Sequence, residues 1–393
     1  MPRFPMAFLC SALAGLPLSA HGQEAASTGE WSMGEWSITP RGRVQLDASD
    51  IGVPPALAGD GFGTAAEVRR AYLGVDGTAP GNVSYRLEAD VSGSSVLLTD
   101  AYLAYQPTRG VTLTLGQHKP FSGLEEQTSD LFTSMLERAA FTSAFGFGRR
   151  LGVSGAYSEG DLLIQLGAFT VNAADLDAES DSFGVDGRVV FSPQVGPGTL
   201  HLGASAHWRD LDDAAGSVRY RARPFTHATD ARLVDTGAIG ASGERSFGAE
   251  LAYIAGPFHA TLEGHRITVL RPGLPDPSFA GGYAEIGLLL TPGDTTGYKN
   301  GVYDRIRPTR PVTEGGPGAV QVNARYDRLD LDSGPIKGGR QQALALSAVW
   351  ALTATVRLQA NYGHLWISDA AVPAGAEADY QADVVGLRAQ FDF

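Results

Sequence analysis

Three arginines fall at alternate positions in SVRYRARPFTHATDARLVDTG: Arg219, Arg221 and Arg223, with Arg232 further along. A spacing of two puts three guanidiniums on one side of an extended segment. A guanidinium keeps its charge near neutrality and presents a fixed fork of donors that suits phosphate oxygens. From 219 to 232 four arginines face one carboxylate, Asp230, so the segment is expected to gather small oxyanions. The competing reading is a solvated loop whose arginines pair with neighbours such as Asp210, Asp212 and Asp213.

A second set of arginines recurs in phase with other polar residues: Arg41, Arg43, Arg70, Arg86, Arg150, Arg188, Arg209, Arg325, Arg357 and Arg388. A column of such groups gives a moving anion a series of weak sites, and conduction requires that binding stay weak enough to release. The alternative is a neutralised wall, with Glu88, Asp90 and Asp100 opposing the arginines together with Asp47, Asp76, Asp186, Glu250 and Asp327. Arg69 sits in the apolar phase, a place expected only at a rim unless the phase is misread there. His201, His207, His259 and His265 fall in polar phases and Ser205 lies between two of them, whereas a lipid-cleaving triad would have to face the bilayer. No catalytic residue, metal or cofactor is expected; Gly146-Phe147-Gly148 lacks the helix-opening context of a nucleotide loop.

The elements that must carry these residues are strands. GNVSYRLEADV places Val83, Tyr85, Leu87, Ala89 and Val91 on one face and Ser84, Arg86, Glu88 and Asp90 on the other. TLHLGASAHWR, AVQVNARYD and the terminal VVGLRAQFDF alternate in the same way. About sixteen such segments begin near 38, 68, 82, 97, 111, 149, 162, 183, 199, 246, 258, 280, 319, 342, 354 and 382. Most run about 9 to 12 residues, the span of a tilted membrane strand. A soluble sandwich also alternates, but charges on one face of nearly every strand suit a water-filled lumen better. The expected fold is therefore all-β, a transmembrane antiparallel barrel of about 16 strands over 36–393 with a loop folded into its lumen.

Connections test that reading, because such barrels alternate short periplasmic turns with long outer loops. Ser158 to Gly160, Ser192 to Gly198, Gly256 and Thr353 are tight, while 119–148, 173–182, 210–245, 266–279, 331–340 and 367–379 are long. The connection 291–318 is long where a short turn is due, so either a hairpin is miscounted or this periplasmic segment is elaborated. Connection 119–148 holds DLFTSMLERAAF, with Leu131, Met135 and Leu136 at helical spacing. Lys119 at its start is a candidate to face the pore; Glu125, Glu126, Asp130 and Glu137 argue against an anion constriction unless they turn away.

Residues 1–22 carry one basic residue, a short apolar run and Ala20-His21-Gly22 before Gln23, the order of a cleaved secretory leader. A short periplasmic segment, 23–35, follows. The formal net charge of −13 excludes a uniformly basic nucleic-acid binder. Cys10 is the only cysteine and lies in the leader, so the mature chain has no disulfide. The last residue, Phe393, is on the apolar face, where barrel-assembly machinery is expected to read it.

VRRAYLGVDG (68–77), TDAYLAYQP (99–107), LGQHKPFSGLEEQTSDLFTSMLERA (115–139), TPGDTTGYKNGVYDR (291–305), ARYDRLDL (324–331) and GLRAQFDF (386–393) together resemble the phosphate- and polyphosphate-selective porins, often called porin O/P. The resemblance implies a sixteen-stranded homotrimer in the bacterial outer membrane, among lipid and lipopolysaccharide, that passes inorganic anions of the phosphate type. It also implies that Arg219, Arg221 and Arg223 line the upper pore, that Arg43, Arg69 and Arg70 correspond to the family's first-strand and second-strand arginines, and that 291–318 is a periplasmic elaboration. The sequence departs from the pattern in lysine: only Lys119, Lys299 and Lys337 occur, which leaves a general or weakly selective diffusion porin for small solutes or organic anions as the alternative.

Overall fold

The computed structural model describes residues 30–59, 61–176, 182–211 and 216–393. The leader, Asp212 and Asp213 lie outside the described residues.

Sixteen strands form the wall. They are β1 (Trp36–Gly52), β2 (Gly63–Ala79), β3 (Val83–Asp90), β4 (Leu97–Thr108), β5 (Val111–His118) and β6 (Arg150–Glu159). Then come β7 (Leu162–Phe169), β8 (Phe183–Phe191), β9 (Gly198–Asp210), β10 (Gly243–Ala255) and β11 (Phe258–Leu270). The last five are β12 (Ser278–Leu289), β13 (Ala319–Ser333), β14 (Ile336–Ala351), β15 (Val356–Ser368) and β16 (Tyr380–Asp392). Each pairs antiparallel with its neighbour in sequence, and β1 pairs with β16 from Arg43↔Asp392 to Gly52↔Asp383, so no edge remains open.

Several strands outrun the expected length, reaching 17 residues in β1 and β2. Two connections read as long loops are largely strand: β13 and β14 are separated only by Gly334 and Pro335, and β11 extends to Leu270. The ladders continue past the apolar band because hydrogen bonding, not lipid, sustains them there.

Alternation decides which way each residue points. On β16, Val385, Leu387 and Phe391 are 37 to 47% exposed on the outer face, whereas Arg388 and Gln390 are buried in the interior. Phe393 completes the seam: its N–H donates to the Gly42 carbonyl at 3.0 Å, and Gly42 N–H donates to its carbonyl at 3.1 Å. Its ring lies over Gly42, where a Cβ would sit 2.5 Å from the ring edge. An aromatic covering a strand glycine is a known way to pin register. Phe393→Ser is expected to lower outer-membrane levels while leaving export across the inner membrane intact; surface labelling beside a periplasmic count of the same variant checks this, and normal surface levels contradict it.

Arg69 is a correction to the phase read from sequence. The β1–β2 register shifts between Gln45 and Leu46, which pair with Arg70 and Val68. Arg69 is the extra residue of a β-bulge, so it and Arg70 both turn inward. A bulge is invisible in one strand's alternation, because it is defined by the partner.

Candidate pore constriction

The 119–149 connection folds into the lumen, with short helices α1 (Leu124–Gln127) and α2 (Ala140–Phe145). The helical spacing around Leu131 to Leu136 does not make a helix. Instead wall side chains take up the backbone there: Arg357 donates to the carbonyls of Leu131 and Thr133, Gln359 to those of Thr133 and Ser134, and Arg388 to that of Leu136 at 2.7 Å. Those carbonyls are spent on the wall and are not free for a helical ladder.

Three of the four loop carboxylates are taken up by wall arginines, while Glu126 stays with Lys119 and Arg138 of its own loop. Asp130 binds Arg43 and Arg70, the latter at 2.6 Å. Glu137 takes both donors of Arg69, at 2.7 and 3.0 Å, and Arg388 at 3.0 Å. Glu125 meets Arg325 at 2.6 Å. Burial works to raise the pKa of Asp130, yet Arg70 and Arg43 hold its carboxyl well below the usual range. The first- and second-strand arginines therefore act as clamps on the constriction loop.

The 211–242 connection also crosses the lumen. Two small ribbons, Ser217–Val218 with Ile239–Gly240 and Arg221–Ala222 with Val234–Asp235, set Val218, Tyr220 and Ala222 into an apolar cluster with Phe145 and Phe279. Arg219 and Arg221 point out of that cluster to water and Arg223 is half-buried, which is the one-sided placement their spacing predicts. Arg219 binds Asp235 at 2.6 Å and Arg223 reaches Asp230 at 3.1 Å; Arg221 has no hydrogen bond or ion pair among the described residues. Burial and the charges of Arg223 and Arg221 push Arg232 down to about 10, so these guanidiniums share one field.

From below, the 290–318 segment rises into the barrel. Its tip is a hairpin, Gly297–Lys299 with Val302–Asp304, turning at Asn300 and Gly301, which have φ of 52° and 74°. Positive φ at both central residues is what Asn-Gly supplies in a type I′ turn. The hairpin docks by Tyr298 hydroxyl to His201 Nδ1 at 2.6 Å, while Tyr303 N–H donates to Thr128 of the constriction loop at 3.3 Å. The elaborated-segment alternative is therefore the right one.

Between these insertions and the β1–β6 wall runs a ladder of charge. Asp76 accepts from Arg41 at 2.9 Å and from Arg86 at 2.7 and 3.0 Å. Asp100 accepts from Arg149 at 2.7 Å and lies 4.0 Å from Arg86. Opposite, Glu126 binds Lys119 at 2.9 Å and Arg138 at 3.4 Å. Side-chain exposure sorts the cations: Arg86 30%, Lys119 and Arg149 21%, Arg41 19% and Arg138 17%, against 1% for Arg188 and 0% for Arg388. The first group reaches water and the second does not.

Three expected site residues stand elsewhere. Arg188 is locked to Glu250 at 2.6 and 2.9 Å and to the Gly301 carbonyl at 2.8 Å, so it holds the periplasmic hairpin. Asp90 accepts from the N–H groups of Ser92 at 2.9 Å and Ala71 at 3.4 Å, ending β3 instead of opposing an arginine. Arg150 is buried beside Arg209 and Asp186, without a hydrogen bond among the described residues. Glu88 and Asp100 do oppose arginines. Arg138 and Arg149 escape a reading by alternation because both lie in the loop; the doubled Arg149-Arg150 was the available signal.

Residues 38–393 match the family described as phosphate-selective porin O and P. An uncharacterised protein of Caulobacter vibrioides is 39% identical over 93% of this chain and 76% of its own length. Porin O of Pseudomonas aeruginosa is 28% identical over 87% of this chain and 84% of its own. The fold is shared with OmpT, an outer membrane protein of Vibrio cholerae (TM-score 0.60, 10% identity, 93% of this chain and 99% of that one). It is also shared with an anion-selective porin from Comamonas acidovorans (TM-score 0.56, 13% identity, 91% and 100%).

Proposed function

The chain belongs to the phosphate-selective porin O and P family and is an outer-membrane porin; from that premise we propose that it passes small anions by diffusion, with a preference for oxyanions of the phosphate class. One observation supports this best. On the β1–β6 side of the constriction Arg41, Arg43, Arg70, Arg86, Arg149, Lys119 and Arg138 meet Asp76, Glu88, Asp100, Glu126 and Asp130, seven cations to five carboxylates, while Glu125, Glu263, Glu285 and Asp327 are buried with Arg325 between the loop and the β11–β13 wall. The excess is positive although the whole chain is acidic, and permeation follows the lumen potential. Pairing keeps each site shallow, which suits passage over capture. Arg219, Arg221 and Arg223 feed the mouth, and a homotrimer with a cleaved leader at 1–22 completes the proposal.

The same pairing favours the second reading, a weakly selective porin for small solutes or organic anions. Reversal potentials across a salt gradient separate the two. The wild-type pore is expected on the anion side, with chloride current blocked as phosphate is titrated in, and changing Arg219, Arg221 and Arg223 to alanine is expected to relieve that block. A cation-side potential in the wild type rules the proposal out.

A further inference from the structure

The lipid-facing side of β10 to β13 carries three exposed arginines: Arg245, Arg266 and Arg328. Arg245 and Arg266 make no hydrogen bond or ion pair with any described residue. Arg328 has only Asp330, at 3.7 Å, and its side chain stays 60% exposed. An arginine facing lipid costs about 2–4 kcal/mol at the bilayer midplane and about 0–1 near the interface. Their positions fit the outer interface. Arg266 lies eight residues up β11 from Phe258, and Arg328 nine up β13 from Ala319; at roughly 2.4 Å of height per residue of a tilted strand this is about 20 Å above the periplasmic end, near the top of an apolar band about 25 Å tall. Trp208 pairs with Arg245, and Trp366 with Gln342, the partner of Arg328, so the arginines stand at the level of the outer aromatic belt.

Beside Arg328 the outer surface carries a shallow depression. A groove of about 640 Å³ runs between Leu251, Leu262 and Tyr326, floored by Gly264, Ala280 and Ala284 and bordered by Arg328. A second depression of about 640 Å³ continues it toward the periplasm, sharing Leu251, Leu262, Ala284 and Tyr326. Cationic head and apolar trough have the layout of an anionic lipid.

We propose that this face seats one phosphorylated glycolipid of the outer leaflet, with its phosphates on Arg245, Arg266 and Arg328 and an acyl chain in the trough. Arg245 pairs with Thr268, and Arg266 reaches Asp330 through Ala280, so Arg328 stands three strand spacings across and four residues along from Arg245, roughly 20 Å between backbones. Three cations spread over that span, with Arg266 between the outer two, suit a headgroup that carries more than one phosphate better than the single phosphodiester of a phospholipid. Guanidinium forks bind phosphate oxygens with charge-assisted hydrogen bonds, which strengthen where water is scarce.

The test uses the full mature chain folded in detergent, with native mass spectrometry of the complex formed with bisphosphorylated lipid A. One molecule per chain is expected. Arg245→Gln, Arg266→Gln and Arg328→Gln together are expected to weaken retention at least about tenfold, as is enzymatic removal of both phosphates from the same lipid. Ala284→Trp, which fills the trough and leaves the arginines, is expected to weaken it as well, while phosphatidylglycerol binds at least about tenfold less tightly. Heat-sensitive gel migration confirms that each variant is folded. Equal retention by the arginine variant, by the dephosphorylated lipid or by phosphatidylglycerol overturns the proposal.

Discussion

Replacing Arg357 and Arg388 together by methionine is expected to raise single-channel conductance roughly twofold or more and to expose Arg138 to trypsin. These two side chains fasten the constriction loop to β15 and β16 through the carbonyls of Leu131, Thr133 and Leu136, and Arg388 also holds Glu137 and Asp47. A hydrogen bond to a charged group contributes about 1.5–3 kcal/mol, and stripping a buried carboxylate of its partner costs about 3–5 kcal/mol. Losses of that size free the 131–136 stretch from β15 and β16 while Arg43, Arg69, Arg70 and Arg325 still hold its flanks, and the sixteen ladders do not depend on them. Planar-bilayer recording and limited proteolysis check this. Unchanged conductance with continued protection of Arg138 would mean that the loop is held by its apolar face, around Met135 and Phe141, and by the remaining clamps Arg43, Arg69, Arg70 and Arg325, and not by Arg357 and Arg388.

The barrel was legible because alternation is a property of each strand alone. Val83 to Val91 and Val385 to Phe393 can be assigned a face without knowing what they pair with. The interior was not legible, because there a residue's role is set by partners far along the chain. Arg325 meets Glu125 across 200 positions and Arg388 meets the Leu136 carbonyl across 252. Read singly, Glu125, Asp130 and Glu137 make the loop look hostile to anions, and Arg43, Arg70 and Arg388 look like open pore sites. Read as pairs they cancel, and the positive excess passes to Arg86, Lys119, Arg138 and Arg149. Asn300-Gly301 and Gly81-Asn82 are loop signals carried by local chemistry, since glycine and asparagine are the residues that accept positive φ at two successive positions.

That excess sets the second large effect. Changing Lys119, Arg138 and Arg149 to glutamine leaves four cations against five carboxylates at the constriction, so the pore is expected to turn from anion-preferring to cation-preferring. A unit charge about 7 Å from the permeant in water contributes about 0.6 kcal/mol, roughly a threefold change in local ion concentration, and three charges compound to as much as about twentyfold before screening. Glutamine keeps the bulk, so the change is read in reversal potential more than in conductance. The proton on Lys119 gives an independent handle. Burial, with the neighbouring charge of Arg138, pushes its ammonium down to about 8, against the opposing pull of Glu126. A lysine is charged below its pKa, so the positive excess is fully present at pH 7 and shrinks by one charge as the pH rises through 8 to 9. Wild-type anion preference is expected to fall over that window, and Lys119→Arg, whose guanidinium stays charged, is expected to hold it flat. A fall of equal size in the arginine variant would place the titrating group elsewhere in the lumen and separate the pH effect from Lys119, while a triple glutamine variant that still prefers anions would move the selectivity filter up to the arginines of the outer loop.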